Sequence, residues 1–121
     1  MLTLPRSVRI HLAVGPVDLR KSIDGLCGLV QSRAHDAYSG HLFVFTSRRG
    51  DRVKILAWDR GGFVLYYKRL EKGRFKLPTV ESGAIEVELD ATQLAMLLDG
   101  IDVQRVKSPS RWEPPVARTA R

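Results

Sequence analysis

The chain has 121 residues, 44% of them hydrophobic, and carries 20 Lys and Arg against 13 Asp and Glu, a formal net charge of +7. That length suits about one domain with a core of its own, and a single cysteine, Cys27, excludes an internal disulfide framework and any cysteine-based zinc site. No stretch approaches the roughly 20 apolar residues that span a bilayer and the opening residues lack a signal-peptide pattern, so a reducing cytoplasm is expected, with polyanions (nucleic acid or an acidic protein) as partners.

Val8, Ile10, Leu12 and Val14 alternate with Ser7, Arg9, His11 and Ala13, the period of a half-buried strand. Gly15-Pro16 ends it. Asp18 is a candidate N-cap, and Leu19, Ile23, Leu26, Cys27 and Val30 mark one face of an amphipathic helix. Gly25 and Gly28 lie three apart on that helix, which predicts close packing against a sheet or another helix. Arg20 and Asp24 have the spacing of a solvated i, i+4 pair. Arg33 to Gly40 is polar and reads as a connection.

His41 to Thr46 is apolar on both faces, as in a central strand. Ser47 to Arg52 predicts a hairpin loop, Val53 to Trp58 the returning strand, Asp59-Arg60-Gly61-Gly62 a second tight turn and Phe63 to Leu70 a third strand. A basic loop runs on to Pro78. Ala84 to Leu89 predicts an edge strand with Ile85, Val87 and Leu89 inward and Glu86 and Glu88 outward. Asp90-Ala91-Thr92-Gln93 has the pattern of a capping box, Leu94, Leu97, Leu98 and Ile101 the stripe of a short helix, and Gly100 its stop. The fold expected is α+β: one helix after the first strand, an antiparallel β-meander sheet, curled or barrel-like closure being open, and a short C-terminal helix. Its expected bounds are 1–103, with 104–121 a flexible, basic, Pro-rich tail.

Charge is concentrated in one run. Arg48 to Lys76 holds ten basic and three acidic residues, a net +7, so the remainder of the chain balances to zero. Trp58, Phe63, Tyr66, Tyr67 and Phe75 are interleaved with it. Lys and Arg clustered beside exposed rings suit a nucleic-acid-facing surface; the plainer alternative is a solvated basic sheet face. Signs of catalysis are missing. His11, His35 and His41 fall in a strand, a loop and a strand start, so no metal site is expected of them, and the acidic residues lack paired-metal spacing. Asp18, Asp51 and Asp59 sit at turns or caps, where Asp has a local backbone role. Cys27 falls on the apolar helix face and no phosphate-cradling Gly-rich motif occurs, so neither an enzyme nor a cofactor is predicted.

Pro16 to Leu26 (PVDLRKSIDGL) resembles the PVDMRKSFDGL opening of the TnpB-type accessory proteins of IS66-type insertion sequences. Ser39 to Phe45 is similar to their SGHLFVF, Arg49 to Leu56 with Trp58-Asp59 to RGDRIKLLYWD, Tyr67 to Phe75 to YKRLERGRF, and Gln93 to Asp102 to QLAMLLEGID. The resemblance runs in order over Val14 to Asp102; Leu19, Leu77 and Val103 depart from it, where Met, Trp and an aromatic are usual. It implies a small protein of DNA transposition encoded beside a larger transposase that carries the strand-transfer chemistry.

Two roles are consistent with these residues. In the first, Arg20, Lys21, Arg48, Arg49, Arg52, Lys54, Lys68, Arg69, Lys72 and Arg74 contact DNA phosphates, at insertion-sequence ends or non-specifically. In the second, Trp58, Tyr66 and Tyr67 anchor a protein interaction with the transposase or a neighbouring accessory subunit.

Overall fold

A computed structural model of the chain describes Pro5 and residues 7–101. The elements run β1 (Ile10–Ala13), α1 (Ile23–Ser32), β2 (Leu42–Thr46), β3 (Arg52–Asp59), β4 (Gly62–Arg69), β5 (Glu86–Leu89) and α2 (Ala91–Leu98). The five strands form one sheet in the order β4-β3-β2-β1-β5. The two ends of that order are different strands, so the sheet is open and the barrel-like option is excluded.

The α+β class holds, but the sheet is mixed. The β2-β3-β4 meander is antiparallel as expected, with Val44 opposite Ile55 and Ile55 opposite Tyr66. β1, however, joins β2 in parallel, Leu12 opposite Val44, and meets β5 antiparallel on its other side, Leu12 opposite Val87. A parallel neighbour needs a crossover rather than a hairpin, and α1 with its connections is that crossover. The alternation that marked β1 as half-buried understated its position. As an inner strand it has both faces covered, and Ala13 is buried together with Ile10 and Leu12.

Pleating sorts the core into two layers. Leu42 and Val44 of β2, Val53 and Ile55 of β3, and Val87 and Leu89 of β5 pack with Leu94, Leu97 and Leu98 of α2. Phe43 and Phe45 of β2, Leu56 of β3 and Ala13 of β1 pack with Leu26 and Val30 of α1 and with Leu19. Fully burying such a side chain stabilises the fold by about 1.5–3 kcal/mol, so each helix is held mainly by its apolar stripe. α2 starts as its sequence predicts. Asp90 Oδ1 accepts the Gln93 N–H at 2.7 Å and Gln93 Oε1 accepts the Asp90 N–H at 2.9 Å, a complete capping box.

Several local expectations are overturned. α1 begins at Ile23 with Ser22 before it, four residues later than an Asp18 cap requires. Leu19 is buried but precedes the helix, and Arg20 pairs with Asp18 rather than Asp24. Neither helix glycine makes a close approach to the sheet: a Cβ on Gly25 would meet only the Lys21 side chain, at 3.1 Å, and one on Gly28 would meet nothing within 4 Å. Ile85 lies just before β5 and is 66% exposed, and Ile101 is exposed beyond α2. Phe75, placed among the surface rings by its basic neighbours, is 5% exposed and belongs to the α2-side core. The expected tail at 104–121 lies outside the described residues.

Candidate nucleic-acid interface

The turn between β2 and β3 is closed by its own short side chains and backbone. The Ser47 N–H donates to the Arg52 carbonyl at 3.0 Å, the Gly50 N–H to the Ser47 carbonyl at 3.0 Å, and the Arg52 N–H to Ser47 Oγ at 3.2 Å. Gly50 has φ +80, the left-handed region that glycine enters without steric cost. No arginine side chain takes part in this framework, so Arg48 and Arg49 are carried rather than used. Both are exposed, and neither is in an ion pair among the described residues.

The segment before α1 is fastened alongside this turn. The Val17 N–H donates to the Thr46 carbonyl at 2.9 Å, and Lys54 Nζ donates to the Lys21 carbonyl at 2.9 Å. Between segment and turn lies a cleft of about 580 Å³ whose lining includes Arg20, Arg48, Arg49 and Arg52, with Asp18 and Asp51 among them. Residues far apart in sequence are therefore gathered: two from the approach to α1, three from the β2–β3 connection, and Arg52 at the start of β3. Asp18 and Arg20 form a two-pronged pair, with Arg20 Nη2 at 2.9 Å from Oδ2 and Nε at 3.0 Å from Oδ1. Donation by the Arg20 side chain, then by its backbone N–H, lowers the Asp18 pKa to about 2. Arg52 is partly covered; its Nε is shut off from solvent without a hydrogen-bond acceptor among the described residues, 3.9 Å from Asp51 Oδ1.

The second basic loop, after β4, is stitched onto the same turn. The Leu70 N–H donates to the Asp51 carbonyl and the Phe75 N–H to the Gly50 carbonyl, each at 2.8 Å. Buried Phe75 acts as its anchor, and the Arg74 side chain lies over Gly50, 3.6 Å from where a Cβ would stand. Lys72 and Arg74 thus adjoin the end of the sheet that carries Arg48 and Arg49. Lys54 and Arg69 also belong to the α1 side: Lys54 Nζ is 5.2 Å from the Tyr67 ring centroid, and Arg69, opposite Arg52, pairs with Glu71 at 3.2 Å. Lys21 is exposed beside the cleft segment. Lys68 is the exception. It lies opposite Val53 on the α2 side, and its Nζ donates to the Leu98 carbonyl at 2.6 Å, at the C-terminal end of α2.

The three aromatic candidates do not converge. Trp58 and Tyr67 are on the α1 side of the sheet and Tyr66, opposite Ile55, on the other. Trp58 instead makes a ring cluster with Phe63 and Tyr38, centroids 5.0 to 5.2 Å apart. Tyr38, an exposed ring of the connection before β2, had no periodic pattern to single it out. β4 is an edge strand with Val64 and Tyr67 each 49% exposed and Tyr66 exposed as well. The histidines, read as scattered, are in fact neighbours: the His11 ring centroid lies 4.4 Å from that of His35 and 5.9 Å from that of His41. Strand pairing and the α1–β2 connection bring them together, a proximity that no short spacing could signal.

Comparison with known proteins locates the chain. A family model described as IS66 Orf2 like protein matches residues 8–108. Two proteins of Sinorhizobium fredii are similar along nearly their whole length. One, named uncharacterized protein y4jC, is 39% identical over 108 residues, covering 88% of this chain and 91% of its own. The other, uncharacterized protein y4hO, is 36% identical over 115 residues, covering 94% and 96%. No solved structure matches. Among the described residues no helix is long and apolar enough to cross a membrane. The open mixed sheet with its fastened basic turns is thus the architecture of an insertion-sequence protein with an accessory role in transposition, and the chain belongs to the IS66 Orf2-like family.

Proposed function

We propose that the protein is a non-catalytic accessory factor of transposition that binds DNA through the cleft and the two basic loops. The observation that carries this reading is the convergence of Arg20, Arg48, Arg49 and Arg52 around one cleft, with Arg48 and Arg49 exposed and outside any ion pair among the described residues. Guanidinium groups held on a hydrogen-bonded turn neutralise phosphates and release counterions at little ordering cost. Lys21, Lys54, Arg69, Lys72 and Arg74 extend the field on the same end or face of the sheet. Lys68 has a positioning role at α2. Contacts of this kind set register on a duplex and do not read bases. The test is a gel shift of the isolated protein on terminal-repeat DNA and on random DNA: binding to both that weakens steeply with salt supports the reading, and no binding at low salt defeats it.

A second reading rests on the open β4 edge. Its exposed Val64, Tyr66 and Tyr67 accompany a row of backbone groups with no strand partner among the described residues, the features of a strand that accepts a partner strand. The partner in this reading is the transposase or a neighbouring accessory subunit, and co-purification that survives high salt but fails on Val64→Lys favours it over DNA contact.

A further inference from the structure

His11 of β1, His35 of the α1–β2 connection and Glu86 of β5 present their ligand atoms to one another on the α1 side of the sheet. Glu86 Oε1 and Oε2 lie 2.8 and 3.0 Å from His35 Nε2, and Oε2 lies 3.3 Å from His11 Nδ1. All three ligand atoms fall within 4.8 Å of one another. A proton shared by His35 and Glu86 satisfies that pair but not the third member. His11 Nδ1 is shut off from solvent and makes no hydrogen bond among the described residues, despite facing a carboxylate oxygen.

We propose that His11, His35 and Glu86 form a binding site for a divalent transition metal of the zinc type. Two imidazoles and a carboxylate are an established zinc ligand set, with the fourth position left to water. Ligands about 2.0–2.1 Å from a tetrahedral zinc stand about 3.3 Å apart, close to the 2.8–3.3 Å separations around Glu86. Closing the widest pair from within 4.8 Å calls for side-chain movement of no more than about 1.5 Å on that geometry. A cavity of about 10 Å³ adjoins the three residues, bounded also by Phe43 and Arg33, room for about one water-sized sphere. Side-chain exposures of 12% for His11, 23% for Glu86 and 26% for His35 leave a bound ion mostly shielded from water.

The surrounding charges are compatible with a cation. Among the described residues Arg33 is the one adverse group lining the cavity, and its Nη1 is turned to the Ile85 carbonyl at 3.3 Å. Glu88, next on the same face of β5, is neutralised by Arg9 at 3.0 Å. His41 Nδ1 accepts the Arg9 N–H at 3.0 Å, so that nitrogen is occupied. Burial, then the nearby His35, lowers the His11 pKa, partly opposed by Glu86 and Glu88. A neutral imidazole is the form that ligates metals. An ion here fastens the connection between α1 and β2 to both β1 and β5.

The experiment uses the full chain without a histidine tag, freed of metal by chelation, and titrates Zn²⁺ calorimetrically and Co²⁺ spectroscopically. The expected result is one ion per chain, visible Co²⁺ bands of four-coordinate intensity, and affinity reduced at least about tenfold by Glu86→Gln and by His35→Gln. His11→Gln joins them if it folds; the two more exposed sites carry the test if it does not, with circular dichroism confirming their fold. Absence of saturable uptake by the wild type overturns the proposal. So does unchanged affinity in both Glu86→Gln and His35→Gln, which marks an adventitious ion elsewhere on the surface.

Discussion

The double variant Arg48→Ala/Arg49→Ala separates the proposed DNA-contacting role from folding. Both side chains are exposed, both stand outside any ion pair among the described residues, and the hydrogen bonds that close their turn come from Ser47, Gly50 and Arg52. Each phosphate neutralised contributes about 0.9 to the slope of log affinity against log salt. Losing two flattens that slope by about 1.8. A fourfold rise in salt then weakens the wild type by about twelvefold more than the variant. The assay is fluorescence anisotropy on a labelled duplex over a series of salt concentrations, with thermal melts showing an unchanged fold. Lys68→Met is the counterpart: it removes the 2.6 Å bond to the Leu98 carbonyl, lowers stability by about 1.5 kcal/mol, and leaves the slope unchanged. A slope that does not move in the double variant, or that moves as much in Lys68→Met, refutes the assignment of the surface.

Three further outcomes are expected. Asp18 titrates near 2 by carboxyl-detected NMR and returns toward its ordinary 3.8 in Arg20→Ala; because the folded value is the lower one, any stability from the pair is present above the unfolded value and is lost as pH falls through about 2. Gly28→Ala meets open space on an exposed turn of α1, so it stabilises the protein by about 0.5–1 kcal/mol and raises Tm by about 4 °C. In the two-residue β3–β4 turn Arg60 has φ +45 and Gly61 φ +86. Arg60→Asn suits that left-handed pair better and adds about 0.5 kcal/mol, measured by urea denaturation, with the salt slope unchanged because Arg60 does not line the cleft.

Local pattern was legible where local physics decides. The β2-β3-β4 meander followed from two Gly-containing turns between apolar runs, and the Asp90–Gln93 capping box from its own four residues. What failed depended on distant partners. The parallel pairing of β1 with β2 leaves no mark in either strand, since the crossover alone requires it. Phe75 was misread because five of the residues from Glu71 to Lys76 are charged or glycine, and only the fold shows that this loop bends back to bury its ring. The same limit applied to the sites. The arginine-rich turn stood out as a charge excess, but its union with Arg20 and Asp18 depends on the Val17–Thr46 and Lys54–Lys21 bonds. The approach of His11, His35 and Glu86 rests on β1 lying beside β5, which strand alternation cannot reveal.

The place of β1 also dictates an order of events during synthesis. Its residues are made before those of the other strands, yet Ile10 and Leu12, each 2% exposed in the finished fold, need β2 on one side and β5 on the other. The β2-β3-β4 hairpins join neighbouring segments and can close as soon as they emerge. The β1–β5 seam spans nearly the whole described chain and cannot close before residue 89 has left the ribosome, a non-local pairing of the kind that folds late. Until then the nascent chain carries a bare apolar strand edge. A product truncated before β5 keeps that edge, a ready template for pairing with another chain.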